Sequence, residues 1–147
     1  MDKKYRLLLA DDDEDDCIFF KEALEDLVAD ATLATVSNGV ELMKMLRAQS
    51  TLLPDLLFLD LNMPLKNGFE CLEEIKMDKK LSPLPVVIYS TSLNMEVMNL
   101  LYEKGAQYYI RKPGDFLKLK KVIREVLTIT LQDHPIQPPR DKFILYA

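Results

Sequence analysis

LLFLD, at residues 56–60, is an unbroken apolar run that ends in a carboxylate, and it decides the fold. A short continuous apolar run after a proline (here Pro54) is typical of a strand that is covered on both faces of a sheet. Similar runs occur before it, at Arg6–Ala10, and after it, at Val86–Tyr89. Such runs predict a buried parallel sheet.

Helix-like stretches separate these runs along the chain. Apolar residues recur at helical spacing after each predicted strand, and the last two predicted helices are Asn94–Lys104 and Phe116–Thr130. Five β-then-α units in one small domain imply a parallel sheet with helices on both faces. In such sheets ligands gather at the carboxyl ends of the strands. The five predicted strands are Arg6–Ala10, Thr32–Val36, Leu56–Leu59, Val86–Tyr89 and Tyr108–Ile110.

Composition excludes several classes of protein. The 147 residues fit one ordinary domain, and 24 acidic against 19 basic residues give a net charge of −5, which argues against nucleic-acid binding. No apolar run approaches the roughly 18 residues that cross a bilayer. Cys17 and Cys71 match no metal or redox spacing, so we expect two core or boundary thiols in a reducing cytoplasm.

Reactive side chains follow four of the predicted strands. Asp11–Asp13 follow the first, Asp60 the third, Ser90 the fourth and Lys112 the fifth. Adjacent carboxylates repel one another unless a cation or a shared proton intervenes, and their hard oxygen atoms suit Mg²⁺. A lysine and a hydroxyl add donors for anionic oxygens. The combination predicts a site for a phosphoryl group beside a divalent cation. The acidic residues 13–16 have another explanation, because negative side chains at the start of a helix interact favourably with the helix dipole.

Four motifs resemble the receiver domain of two-component response regulators: LLLADD (7–12), LFLDLNMP (57–64, with Gly68), VVIYST (86–91) and YIRKP (109–113). The resemblance runs from about residue 4 to residue 130. It implies a flavodoxin-like α/β fold, a doubly wound (βα)5 three-layer sandwich with a five-stranded parallel sheet of order 2-1-3-4-5.

The resemblance also implies a role for each acidic residue. Asp60 would accept the phosphoryl group as an aspartyl phosphate. Asp11, Asp12, Asp60 and the backbone carbonyl of Asn62 would bind Mg²⁺. The run of three aspartates leaves the register open by one residue, with Asp13 as the other candidate.

The remaining roles concern the phosphoryl oxygens and the switch. Lys112 would pair with these oxygens through a cis Lys112–Pro113 peptide bond, and Ser90 would donate a hydrogen bond to them. Ser90 and Tyr109 would form the switch, in which Ser90 moves towards the phosphate and the Tyr109 ring turns inward. The alternative is that Tyr109 is a fixed, partly buried strand residue.

The end of the chain carries no motif of its own. We predict a receiver domain over residues 1–130 and an extension over 131–147 that lacks an output domain, with the single histidine, His134, as an exposed tail residue. The apolar end, Phe143–Tyr146, either folds back on the receiver or pairs with another subunit or partner. Folding back is the simpler expectation.

The predicted function is that of a phosphoacceptor response regulator in a two-component phosphorelay. Its expected partners are a sensor histidine kinase or histidine phosphotransfer protein and a downstream protein target; a homodimer is a further candidate, whereas nucleic acid and membrane are not expected. A Mg²⁺-dependent phosphohydrolase is the competing enzyme hypothesis. Sequences of that kind have a second aspartate two positions after the nucleophile as general acid–base, and here that position is Asn62. A scaffold without phosphorylation is the third hypothesis. We therefore predict no enzyme activity beyond self-catalysed phosphotransfer and slow autodephosphorylation.

Overall fold

The fold is given by a computed structural model of the chain. It describes residues 4–27, 30–48, 52–92, 94–130 and 136–146. His134 and the start of the predicted extension therefore lie outside the described residues.

Strands and helices alternate as the sequence predicts. The strands are β1 (Tyr5–Ala10), β2 (Ala31–Val36), β3 (Leu56–Leu59), β4 (Val86–Ser90), β5 (Tyr108–Arg111) and β6 (Ile144–Leu145). The helices are α1 (Glu14–Asp26), α2 (Gly39–Arg47), α3 (Gly68–Met77), α4 (Met95–Glu103) and α5 (Phe116–Thr130), and a 3-10 turn covers Arg140–Lys142.

The predicted α/β fold is confirmed, with one correction to the sheet. Its order is β2-β1-β3-β4-β5-β6, and every neighbouring pair runs parallel. The predicted order 2-1-3-4-5 is therefore retained, but the prediction of five strands was wrong by one. The sixth strand forms because β5 would otherwise present an unpaired edge, which the last residues of the chain can reach and cover.

The sheet divides the core into two layers. Residues that alternate along each strand face opposite sides, as the two-residue period of a strand requires. One layer joins the sheet to α2, α3 and α4, and the other joins it to α1 and α5. Within β5, Tyr109 belongs to the first layer and Ile110 to the second. This arrangement is the predicted three-layer sandwich.

Short polar side chains fix where the helices begin, just beyond the strands. Asp13, Asn38, Asn67 and Asn94 each accept a hydrogen bond from the first turn of α1, α2, α3 and α4. Each cap satisfies a backbone N–H that has no partner within its helix, an interaction worth about 1 kcal/mol. The caps set the entry angle of the helices at the edge where the predicted site lies.

The described part of the extension folds back on the receiver. The backbone N–H of Tyr109 donates to the carbonyl of Phe143 at 3.0 Å, and the ring of Phe143 packs edge-on against Tyr102 with 5.2 Å between centroids. The Tyr102 hydroxyl donates to the carbonyl of Pro138 at 2.6 Å. Because Phe143 is only 2% exposed, the extension adds to the core.

The two cysteines lie where the sequence predicts, in the core and at its boundary. Cys71 is buried and Cys17 is half-buried; both are free thiols, and burial raises the pKa of each to about 11. Among the helices of the described ranges, none combines the length and the apolar character needed to span a membrane.

Candidate phosphoacceptor site

The ends of four neighbouring strands, β1, β3, β4 and β5, bring the predicted residues together. Asp60 follows β3, and its backbone N–H donates to the carbonyl of Ala10 at 2.9 Å. Lys112 follows β5, and its backbone N–H donates to the carbonyl of Ser90 at 2.8 Å. Parallel pairing therefore holds Asp11, Asp60, Ser90 and Lys112 at the same edge of the sheet.

Asp11, Asp12 and Asp60 form a cluster that can hold a cation. Each offers a carboxylate oxygen, and these oxygens all lie within 4.8 Å of one another. Oδ2 of Asp11 is buried, and the Lys112 ammonium group lies 2.7 Å from it. Clustered carboxylates repel one another unless a cation lies among them, and their hard oxygen atoms suit a divalent ion such as Mg²⁺. These residues therefore fit the predicted metal.

Asp13 makes a different contact, which favours Asp11 and Asp12 as the metal-binding pair, and their role as ligands stays a prediction. Its side chain accepts a hydrogen bond from the backbone N–H of Asp16 at 3.2 Å and so caps α1. The backbone N–H of Asp13 donates to Oδ1 of Asp11 at 3.0 Å. Asp13 thus orients Asp11, and the cluster uses Asp11 and Asp12.

Lys112 lies among carboxylates. Its Nζ atom is 2.7 Å from Oδ2 of Asp11, 2.8 Å from Oδ2 of Asp16 and 3.5 Å from Oδ2 of Asp60. Burial by itself lowers the pKa of Lys112, but the hydrogen bonds to Asp11 and Asp16 and the charges of Asp60 and Asp11 raise it above the ordinary value. Lys112 is therefore a permanent cation at neutral pH, as the pairing with phosphoryl oxygens requires.

Asp60 is nearly buried, with 5% of its surface exposed. Burial raises its pKa to about 6, and the nearby Asp11 charge acts in the same direction, against the lowering effects of Lys112 and of the backbone N–H of Asn62. That N–H donates to Oδ1 of Asp60 at 3.4 Å. A carboxylate held in this way is less stabilised as an anion than one in water, and a cation beside it would restore the charged form. The role of the Asn62 carbonyl as a ligand stays a prediction.

Ser90 and Tyr109 are the residues predicted to form the switch, and they lie at the end of β4 and within β5; the switch itself stays a prediction. Ser90 is fully buried, and its Oγ accepts a hydrogen bond from the backbone N–H of Ser92 at 3.3 Å. The Tyr109 ring is inward and fully buried, and its hydroxyl donates to the carbonyl of Ser92 at 2.5 Å. The pKa of Tyr109 is raised, chiefly by burial. Both residues thus contact the segment that joins β4 to α4.

The predicted cis bond at Lys112–Pro113 is wrong. All peptide bonds that the structure describes are trans, including this one. With the trans bond, the Lys112 side chain already reaches Asp11 at 2.7 Å, so no cis geometry is required to aim the lysine into the site.

Comparisons with known proteins agree with this geometry. The family model of the response regulator receiver domain matches residues 7–124. The chain belongs to that family.

Two relatives match this chain over most of its length. The chain is 31% identical over 130 residues to the response regulator Rcp1 of Synechocystis sp. PCC 6803, and the match covers 86% of this chain and 88% of that protein. It also resembles the crystal structure of the phosphorylated cyanobacterial phytochrome response regulator RcpA, with 32% identity and a TM-score of 0.81, over 88% of this chain and 96% of that one.

Two further relatives extend the comparison. The Mn²⁺-bound form of Rcp1 has 29% identity and a TM-score of 0.78, covering 92% of this chain and 99% of that one. The probable C4-dicarboxylate response regulator DctR of Bacillus subtilis is 29% identical over 84% of this chain. The receiver domain spans only 52% of DctR, so that similarity concerns about half of the relative.

Close packing beneath Asp60 requires a glycine at position 68. A Cβ atom on Gly68 would lie 2.3 Å from the carbonyl oxygen of Asp60, and the Gly68 N–H donates to the carbonyl of Leu61 at 3.0 Å. The first residue of α3 therefore packs directly against the backbone that carries Asp60. Any larger residue would displace that backbone.

Asp16 is the site residue that the sequence reasoning missed. We expected the acidic residues 13–16 to serve the dipole of α1, yet Asp16 forms a hydrogen-bonded ion pair with Lys112 across 96 residues of sequence. The spacing of Asp16 along the helix indicates that it faces the sheet. Asp16 lies four residues before Phe20 and seven before Ala23, both fully buried, so it shares their sheet-facing side of α1.

Proposed function

We propose that this receiver domain accepts a phosphoryl group on Asp60 and signals through a protein partner that recognises the phosphorylated form. The observation that carries the proposal is that the Asp60 carboxylate belongs to an acidic cluster that could hold a cation and also lies 3.5 Å from the Lys112 ammonium group. The cluster offers ligands for a metal, and Lys112 supplies a positive charge.

The transfer step uses residues at the strand ends. An oxygen of the Asp60 carboxylate attacks phosphorus, a P–O bond forms, and the P–N bond to a phosphohistidine of the donor breaks. The leaving imidazole keeps the bonding electrons and takes up a proton. Lys112 pairs with phosphoryl oxygens and Ser90 donates a hydrogen bond to one of them, so charge that develops in the transition state is stabilised.

Asp11, Asp12 and Asp60, with the Asn62 carbonyl, would hold Mg²⁺. The bound ion would neutralise negative charge on the phosphoryl oxygens. Because three carboxylates (Asp11, Asp16 and Asp60) pair with the single cation Lys112, and Asp12 belongs to the same acidic cluster, this site needs additional positive charge before a phosphoryl group can approach.

Signalling would begin at Ser90 and Tyr109. A new phosphoryl group adds roughly −1.5 to −2 charges and strong acceptor oxygens. Ser90 would turn its hydroxyl towards this group and release the Ser92 N–H, while Tyr109 retains its hydrogen bond to the Ser92 carbonyl. The segment between β4 and α4 would then change its position, and the surface formed by α4, β5 and α5 with it.

The proposed donor is a sensor histidine kinase or a histidine phosphotransfer protein. RcpA is a phytochrome response regulator by name, so a phytochrome-type histidine kinase is the first donor to test. A downstream protein target and a homodimer are the proposed readers of the signal. Slow autodephosphorylation without further enzyme activity, and a cytoplasmic location, belong to the same proposal.

Intact-mass measurement after incubation with Mg²⁺ and acetyl phosphate tests the proposal. We expect one labile phosphoryl adduct in the wild type and in Asp15→Asn, which changes an exposed carboxylate, and none in Asp60→Asn. Removal of Mg²⁺ with EDTA should abolish the adduct. A folded wild type without an adduct would favour the scaffold hypothesis, and sustained release of phosphate over many turnovers would favour the hydrolase.

A further inference from the structure

Lys112 competes with a metal for the same carboxylate oxygens. Its Nζ atom lies 2.7 Å from Oδ2 of Asp11 and 3.5 Å from Oδ2 of Asp60, and both residues belong to the acidic cluster. An ammonium group and a divalent ion repel each other and cannot both bind one buried oxygen closely. A cation can therefore bind this cluster fully only when Lys112 has another carboxylate to pair with.

Asp16 provides that second carboxylate. Asp16 lies in the first turn of α1 and does not belong to the Asp11–Asp12–Asp60 cluster. Its Oδ2 accepts a hydrogen bond from Nζ of Lys112 at 2.8 Å. The Lys112 side chain is only 9% exposed, whereas that of Asp16 is 35% exposed. The pair therefore lies at the border between the interior and solvent, where a charge-assisted hydrogen bond still fixes a side chain.

We propose that Asp16 is a positioning residue, which draws Lys112 away from Asp11 and Asp60 and so allows a divalent cation to bind there. This inference deepens the proposed function and rests on it for its biological purpose. Asp16 itself does not touch the metal or the phosphoryl group. It acts through the position of the Lys112 ammonium group.

The loss of Asp16 has a defined consequence. Without its carboxylate, the Lys112 ammonium group would pair only with Asp11 and Asp60 and would shield their oxygens from the metal. We expect Asp16→Asn to weaken Mg²⁺ binding about three- to tenfold, the range for a half-buried charge pair. Phosphorylation by acetyl phosphate should then be slower at limiting Mg²⁺ and recover at saturating Mg²⁺.

A matched control separates this effect from a general loss of negative charge. Asp15 is the neighbouring residue of the same helical turn, and its side chain is exposed. Asp15→Asn removes the same charge without touching Lys112, so it should change the Mg²⁺ dissociation constant by less than about twofold. Asp16→Glu keeps a carboxylate within reach of Lys112 and should restore most of the affinity.

The deciding experiment is isothermal titration calorimetry with Mg²⁺ as the only ligand, on wild type, Asp16→Asn, Asp15→Asn, Lys112→Gln and the Asp16→Asn/Lys112→Gln double variant. In the Lys112→Gln background, Asp16→Asn should have no more effect than Asp15→Asn, because the residue through which it acts is gone. Circular dichroism at each titration temperature verifies folding.

Two results would overturn the inference: equal Mg²⁺ affinity in Asp16→Asn and Asp15→Asn, or an undiminished effect of Asp16→Asn when Lys112 is absent. Neither result depends on phosphorylation. A wild type that binds Mg²⁺ but takes no phosphoryl group would instead refute the proposed function, and the role of Asp16 in metal binding would still be decided.

Discussion

At the scale of single residues, Asp60 couples its protonation to the stability of the fold. Its pKa is raised to about 6, chiefly by burial, whereas the ordinary value is 3.8. Between these two pH values the folded protein binds more protons at this site than the unfolded chain does. The stabilisation is therefore complete below the unfolded pKa of Asp60 and is lost as pH rises through the folded pKa.

This coupling predicts the behaviour of Asp60→Asn without metal. Asparagine carries no charge that must be buried, so the variant should be more stable than wild type at pH 7.5 by on the order of 1 kcal/mol, with the advantage shrinking towards pH 4.5. Urea unfolding of both proteins in EDTA at the two pH values measures the difference. An advantage that is the same at both pH values would contradict the raised pKa.

Replacement of Lys112 should have opposite effects on the rate of phosphorylation and on the affinity for Mg²⁺. Lys112→Gln removes the positive charge proposed to pair with phosphoryl oxygens, so the initial rate of adduct formation should fall about a hundredfold. The same change frees Asp11 and Asp60 from a competing cation, and Mg²⁺ should bind more tightly. Rates by intact mass and affinities by calorimetry measure both, with Lys121→Gln, at an exposed position of α5, as the control. A parallel loss of both would contradict this division.

Individual residues also mark how far sequence reasoning reached. The apolar strands end within one residue of the predicted positions, so the sequence alone places Asp11, Asp12, Asp60 and Lys112 at one edge of the sheet. Asp16 was not assigned to the site because the dipole of α1 already explains an acidic residue in its first turn. Its spacing from Phe20 indicates the sheet-facing side of α1, but its pairing with Lys112 follows only from the fold, which brings the end of β5 beside α1.

At the scale of elements, β6 depends on one aromatic side chain. Phe143 is 2% exposed and packs against the rings of Tyr102 and Tyr109, with centroids 5.2 and 6.4 Å away. Phe143→Ala should lower the free energy of unfolding by about 3–5 kcal/mol because it leaves a cavity between α4 and β5. Tyr146 is 74% exposed, and Tyr146→Ala should change stability by less than about 0.5 kcal/mol.

Denaturant unfolding of both variants tests the attachment of the extension. Equal midpoints for Phe143→Ala and wild type would show that β6 contributes nothing to the fold in solution. Hydrogen exchange adds a local measurement: the Tyr109 N–H, which donates to the Phe143 carbonyl, should exchange faster in Phe143→Ala and remain protected in Tyr146→Ala.

The extension also shows why sequence could not give every element. Ile144 and Leu145 form a strand of two residues, too short for any alternation of apolar and polar positions to be visible. What decides their conformation is the open edge of β5 and the space that Phe143 fills, and both are properties of the folded receiver. The boundary between a domain at 1–130 and an extension at 131–147 stays a prediction.

At the scale of the whole molecule, metal binding and stability are linked. A ligand that binds only the folded state stabilises it by about 2.7 kcal/mol when its concentration is a hundred times the dissociation constant. Mg²⁺ should therefore raise the midpoint of thermal unfolding in a concentration-dependent way, and Asp11→Asn should abolish the increase because a buried ligand of the cluster is lost. Differential scanning calorimetry measures both, with Asp15→Asn as the control. An equal increase in Asp11→Asn would place the metal elsewhere.

The most direct test of the proposed function is to locate the phosphoryl group on the protein. Sodium borohydride reduces an aspartyl phosphate to homoserine, so tandem mass spectrometry of the protein treated with Mg²⁺, acetyl phosphate and borohydride locates the acceptor. We predict homoserine at position 60 and at no other aspartate, including Asp11, Asp12 and Asp16. Homoserine at another position, or a folded protein that yields none, would contradict the assignment of Asp60 as the acceptor.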